Sequence, residues 1–185
     1  MSSSDASTET TSATSTASAA GSSAPAPAVL PGRRGAGPYR VVMVCTGNIC
    51  RSAMAEVVLR DRLAAAGIPD SGPGGVTVTS AGVSDEERGN PIDSRARRVL
   101  TEAGYGVGAD DVSRATGIAI ASHTAHRVTD AEITEADLLL AMTDSHWNVL
   151  QRRAASLGAE PDRIRMYREL DPASTQQVEA VAAGG

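Results

Sequence analysis

The chain has 185 residues, a formal net charge of −5 and 17 basic side chains, all of them arginine. That acidic balance gives no support to nucleic-acid binding, and no apolar run is long enough to cross a bilayer. The two cysteines, Cys45 and Cys50, do not form a disulfide framework, and a reduced, cytoplasmic setting is the simpler expectation.

Residues 1–38 read as a disordered tail. Ser, Thr and Ala dominate it first, and Pro25-Ala26-Pro27-Ala28 and Gly35-Ala36-Gly37-Pro38 follow. Such a composition buries too little apolar surface to offset the cost of ordering. It also lacks the basic start and apolar centre of a signal peptide. The reading is a solvated extension or an over-long start.

Val41-Val42-Met43-Val44 is a short apolar run that ends in Cys45, and it reads as a buried strand. Thr46-Gly47-Asn48-Ile49-Cys50 follows, with Gly47 and Asn48 suited to unusual backbone angles. Then come Arg51 and Ser52, and a helical pattern starts at once with Ala53-Met54-Ala55-Glu56. Backbone N–H groups of a tight loop and a first helical turn converge without internal partners, and the helix dipole adds positive character there. Arg51 can close that ring with a fork that matches phosphate oxygens. Cys45 would lie at its floor, where the same field favours a thiolate, and a thiolate beneath a phosphate is set up to attack phosphorus. Taken alone, Cys45 also reads as a buried cysteine that ends a strand.

The first helix is expected from Ser52 to Ala66, with Ala55, Val58, Leu59, Leu63 and Ala66 on one stripe and Gly67 at its end. Val76 and Val78 alternate with Thr77 and Thr79 in a second strand that runs to Ser80-Ala81-Gly82. Val83 to Pro91 is a polar loop. A second helix follows from Asp93 as N-cap to Ala103, with Ile92, Ala96, Val99, Leu100 and Ala103 inward. Gly117 to Ala121 reads as a short extended segment leading to Ser122-His123-Thr124-Ala125. Thr129-Asp130-Ala131-Glu132 is a capping box. Leu138 to Met142 has the continuous apolar character of a central parallel strand. Asp144 to Leu157 is a helix closed by Gly158, with Trp147, Leu150, Ala154 and Leu157 on one face. Arg163 to Tyr167 reads as the last strand. The alternation predicts an α/β fold, a doubly wound parallel sheet of about four strands. Ligands of such sheets bind at the carboxyl ends of strands, which is where the Cys45 loop leaves.

C-T-G-N-I-C-R-S followed by A-M-A-E resembles the low-molecular-weight protein tyrosine phosphatase family, whose signature is C-x5-R-[ST] after the first strand. The resemblance covers residues 39–172 and implies strand order 2-1-3-4. It makes Cys45 the nucleophile and Arg51 the residue that binds phosphate and stabilises the transition state. Thr46, Gly47, Asn48, Ile49, Cys50, Arg51 and Ser52 would form the phosphate cradle. The S-A-G at Ser80 also matches, and so does the segment at His123, which implies a supporting network of Asn48, Ser52, Ser80 and His123. Taken alone, Ser80 reads as a turn serine and His123 as a surface or capping histidine. The resemblance implies a phosphotyrosine protein as substrate and no metal or organic cofactor. Cys50 is expected, as in family members with this pair, to form a reversible disulfide with Cys45. Its plain alternative is a second small buried residue.

Several positions depart from the family. Ala53 stands in place of a usual Pro, and His126 in place of an Arg. Asp85-Glu86-Glu87-Arg88 occupies the loop where many members carry an aromatic wall. Asp171-Pro172 matches the family's first D-P pair. The second motif, D-P-[YFW]-Y-G, which supplies the general acid, is absent. Residues 173–185 are therefore expected as a short divergent tail, and hydrolysis as impaired. A phosphate-binding module without efficient catalysis is the alternative. Arsenate reductases share the fold and loop, but their relay needs a further downstream cysteine pair, and no cysteine follows Cys50. A nucleotide-kinase loop would need a lysine, and a dinucleotide site a G-x-G-x-x-G after a strand; neither is present.

Overall fold

The structure is a computed structural model and describes residues 29–171. Its centre is a four-stranded, all-parallel sheet in the order β2-β1-β3-β4. Strand β1 (Tyr39–Cys45) leads into helix α1 (Arg51–Ala65), β2 (Val76–Gly82) and α2 (Ser94–Glu102). Helices α3 (Asp111–Ser122) and α4 (Asp130–Glu135) precede β3 (Leu138–Ala141) and α5 (Asp144–Leu157). Strand β4 (Ile164–Met166) and a 3-10 turn over Tyr167–Leu170 complete the described fold.

The two central strands are buried on both faces, as a parallel sheet requires. Val41 and Met43 of β1 join Val78, Leu138 and Leu140 on the face that α1 covers through Ala55, Leu59 and Leu63. Val42 and Val44 join Leu139, Ala141, Ile164, Ile133, Leu150 and Ala154 on the face covered by α4 and α5. Helices α1 and α2 then pack on each other through Ala53, Val57, Ala96 and Leu100. The first crossover goes to one side of β1 and the second to the other. The C-terminal end of β1 is thus a topological switch point.

The expected strands and helices are all present, within a residue or two at their ends. Asp93 caps α2 by accepting from the Arg95 and Ala96 N–H groups, Thr129 and Glu132 form the capping box of α4, and Gly158 closes α5 in the left-handed region. Some outer positions of the expected stripes stay at the surface: Ala66, Val99, Ala103 and Leu157 are exposed.

Two expectations need correction. Gly117–Ala121 is not extended but forms the last turns of α3, which starts at an Asp110 N-cap. Thr116 is buried there and donates to Asp61 of α1 (2.9 Å), and Gly117 lies so close to Gly106 that a side chain would crowd it. Packing on α1 settles the conformation, not the local Ile118–Ile120 alternation.

The second correction concerns the expected boundary at residue 39. Chain from Pro31 onward is already held against the sheet. The Tyr39 hydroxyl donates to the Pro31 carbonyl (2.9 Å) and Arg163 to that of Gly32 (2.7 Å). The Arg34 side chain donates to the Ala136 carbonyl (3.0 Å) and pairs with Glu160. Buried Asp137 accepts from the backbone N–H groups of Arg34 (2.6 Å) and Arg40 (2.8 Å). The packed unit therefore begins near Pro31. Residues 1–28 of the expected N-terminal tail, Pro172 at the end of the expected domain, and the expected divergent tail at 173–185 lie outside the described residues.

Candidate active site

The loop from Thr46 to Cys50 leaves the switch point and turns directly into α1. It lies close against its neighbour: a side chain on Gly82 would meet the Thr46 carbonyl at 2.5 Å, so only glycine fits at the end of β2. Val83 and Ser84 N–H groups donate to the Cys45 and Thr46 carbonyls (2.9 and 3.0 Å), which pins the base of the loop to the following strand end.

Asn48 is the keystone. It is the one non-glycine among the described residues with a positive φ (61°), a conformation that Asn tolerates better than other side chains. It is fully buried. Its amide N–H groups donate to Ser52 Oγ (3.1 Å) and Ser80 Oγ (2.8 Å), and its side-chain oxygen accepts from the His126 N–H (3.2 Å). Its main-chain carbonyl accepts from His123 Nε2 (2.7 Å), which fixes that nitrogen as the protonated one. The four expected network residues, Asn48, Ser52, Ser80 and His123, are thus brought together. Two partners outside the expected set complete the network: Glu56, whose Oε2 accepts the Ser80 hydroxyl proton at 2.6 Å, and the backbone of His126.

These bonds orient the rest. Ser52 Oγ already accepts from Asn48, so its own proton is free to donate to Cys45 Sγ, 3.0 Å away. Cys45 is buried at the loop floor, while Cys50 and Arg51 are exposed at its mouth. Both cysteines are free thiols.

Helix α1 begins differently from the other four. Asp93, Asp110, Thr129 and Thr143 each cap their helix through a side chain. Cys50, the N-cap of α1, makes no such bond, and no acidic residue stands in the first turn. Among the described residues, the N–H groups of Gly47 through Arg51 donate to no internal partner. A ring of unmet donors with an arginine beside it takes a tetrahedral oxyanion, and a sulfur at its floor can reach the central atom. The cleft is lined by Cys45, Thr46, Gly47, Ile49, Cys50 and Arg51, with Glu86 and Glu87 on its rim. Glu87 packs over Gly47, where a side chain would meet it at 2.7 Å. Among the described residues Asp171 does not line this cleft. No cluster of three or more metal-ligating side chains occurs among them either.

A further residue at the site escaped the sequence reading. His146, buried in the first turn of α5, holds Nε2 2.9 Å from Thr46 Oγ1 and Nδ1 3.0 Å from Thr143 Oγ1. Burial, and then the Arg51 charge, lowers its pKa below the usual imidazole range. On the far side, His126 pairs with Glu132 (2.9 Å), and that hydrogen bond raises the pKa of His126.

Comparison with known proteins agrees with this geometry. The family model for low molecular weight phosphotyrosine protein phosphatase matches residues 40–111 and 107–182. The chain is 38% identical over 137 residues to low molecular weight protein-tyrosine phosphatase A of Mycobacterium tuberculosis, covering 74% of this chain and 70% of that one. It is 35% identical over 135 residues to a low molecular weight protein-tyrosine-phosphatase of Streptomyces coelicolor, covering 73% and 71%. The crystal structure of the low molecular weight protein tyrosine phosphatase from T. tengcongensis superposes with a TM-score of 0.54 at 32% identity, covering 70% of this chain and 74% of that one.

Proposed function

Because the chain belongs to the low molecular weight phosphotyrosine protein phosphatase family, we propose that it hydrolyses aryl phosphomonoesters, phosphotyrosine in proteins above all, through a cysteinyl-phosphate intermediate. The observation that carries this reading is Cys45 Sγ at the floor of an uncapped helix N-terminus, with Ser52 Oγ 3.0 Å away as its hydrogen-bond donor.

The phosphoryl group enters the ring of N–H groups between Thr46 and Arg51. Arg51 holds two of its oxygens, and the charge that develops on all three meets donors already in place. The Cys45 thiolate attacks phosphorus in line, the S–P bond forms and the ester P–O bond breaks. The leaving phenolate takes a proton from solvent water. Water then attacks phosphorus, the S–P bond breaks, and inorganic phosphate leaves with Cys45 restored. Ser52 serves the thiolate as donor in both half-reactions.

General acid catalysis is worth on the order of 10²–10⁴-fold, so the dependence of turnover on the leaving group reads how far an acid serves this site. The test compares an activated aryl phosphate with an unactivated phosphomonoester, with Cys45→Ser as control. Cys45-dependent turnover that favours the activated ester by far is the expected result. Turnover that persists in Cys45→Ser defeats the reading. Phosphate bound without any turnover transfers the chain to the phosphate-binding class.

A further inference from the structure

The His146 side chain belongs to none of the groups that the reaction above uses, yet it is buried against the loop. Its hydrogen bonds determine its tautomer. Thr143 Oγ1 accepts from the His146 backbone N–H (3.5 Å) as the α5 cap, so its hydroxyl proton is available to Nδ1, 3.0 Å away. Nδ1 is then the acceptor, and in a neutral ring Nε2 must carry the proton. That N–H donates to Thr46 Oγ1 at 2.9 Å. Arg51 approaches the same oxygen as a second donor (3.5 Å). Thr46 Oγ1 is therefore occupied as an acceptor, and its own proton is left over. Thr46 is exposed and lines the cleft beside Cys45 and Gly47.

We infer that His146 is a positioning residue: through the chain Thr143–His146–Thr46 it turns the Thr46 hydroxyl into an additional hydrogen-bond donor for a phosphoryl oxygen in the cleft. The inference rests on the proposed phosphatase reading for its consequence in catalysis, but the donor itself is a property of phosphate binding. Residues 143 and 146 belong to the β3–α5 junction and Thr46 to the β1–α1 loop. The chain thus ties the cleft to the strand beyond the switch point. Arg51 and His146 share one hydroxyl, so the guanidinium is steered by the same contact.

The test uses the full chain and inorganic phosphate as probe, with binding measured by calorimetry and, separately, by inhibition of aryl phosphate hydrolysis. Thr46→Val removes the hydroxyl at nearly constant shape, and Thr46→Ser keeps it. A hydrogen bond to a charged oxygen predicts that Thr46→Val weakens phosphate binding and kcat/KM by roughly tenfold or more, with Thr46→Ser within about threefold of the parent. His146→Ala is expected to weaken phosphate similarly, and Thr46→Val/His146→Ala to be no worse than Thr46→Val alone, since residues in one chain do not add. Multiplying losses in the double variant overturn the inference, because a merely structural histidine would act independently of Thr46. So does phosphate binding by Thr46→Val within twofold of the parent, and that comparison decides the matter even where His146→Ala fails to fold. A parent chain that binds phosphate but turns nothing over defeats the phosphatase reading and leaves the calorimetric comparison to decide this one.

Discussion

The two ends of β1 meet the same problem and solve it in opposite ways. At its N-terminal end, the backbone N–H groups of Arg34 and Arg40 need an acceptor, and the chain provides one in the buried carboxylate of Asp137. At its C-terminal end, the N–H groups of Gly47 through Arg51 need an acceptor, and the chain provides none. The buried side chains there, Asn48, Ser52 and Ser80, spend their hydrogen bonds on holding the loop's shape. A need met from within makes a clasp. A need held open makes a candidate binding site, and it is held open at the cost of a left-handed asparagine.

This contrast is open to attack by substitution. Asn48→Ala is expected to have the largest effect, since it strips three side-chain hydrogen bonds and leaves a left-handed alanine. Activity should fall about a hundredfold as the loop loses its shape, and stability by about 2–3 kcal/mol. Aryl phosphate hydrolysis and urea unfolding measure the two losses. Activity that survives while stability drops would make Asn48 only a structural brace. Asp137→Ala should behave the other way. Unpaired N–H groups and the loss of a counter-charge 3.9 Å from Arg163 should cost about 3 kcal/mol in urea unfolding, while kcat/KM per folded molecule stays within about twofold. A large loss of kcat/KM would mean that the two ends are coupled.

The rim of the open site gives a smaller effect. Glu86 and Glu87 place carboxylates on the rim of the proposed anion cradle. Replacing both with Gln should raise kcat/KM several-fold on phosphopeptides with acidic flanks and lower it on those with basic flanks. Equal rates on both peptide classes, before and after substitution, would show that the rim does not read substrate charge.

The smallest effect is a matter of pH. Glu132 keeps its capping role in Glu132→Gln but loses its charge toward His126. The raised pKa of His126 means that its share of the stability is full below pH 6.5 and is lost as pH rises through the folded value. Burial pushes the Glu132 carboxyl up, but its hydrogen bonds with His126 and Thr129 together bring it below 4.5. Its share is present above that value and is lost as pH falls through the folded one. The parent should therefore exceed Glu132→Gln by a half-exposed pair's worth, about 0.5 kcal/mol, between pH 4.5 and 6.5. The gap should shrink on either side. A gap that does not change from pH 5 to 8 would contradict the pairing.

Local chemistry made much of this legible in advance. The Cys45 loop, the Asp93 cap, the Thr129–Glu132 box and the Gly158 stop are all written within a few consecutive residues, where spacing alone fixes who meets whom. What escaped depends on distant chain. Helix α3 was hidden because Ile118 and Ile120 alternate like a strand, and only contact with Asp61 and Gly106 shows otherwise. His146 carries no motif of its own; the signal was a threonine cap three residues before a histidine, just after the most apolar strand. Asp137 immediately before β3 was a similar hint, for a charged residue at the start of a fully buried strand needs a partner.

Trp147 is the chain's single tryptophan. It follows His146 directly, and its indole N–H donates to the Ile164 carbonyl of β4 (3.3 Å). The molecule thus carries a built-in fluorophore at the seam between α5 and the edge strand. Its emission should shift to the red as soon as that edge lets go and water reaches the ring. Loosening of the strand could then be timed separately from collapse of the loop on the other side of β3, with no label attached.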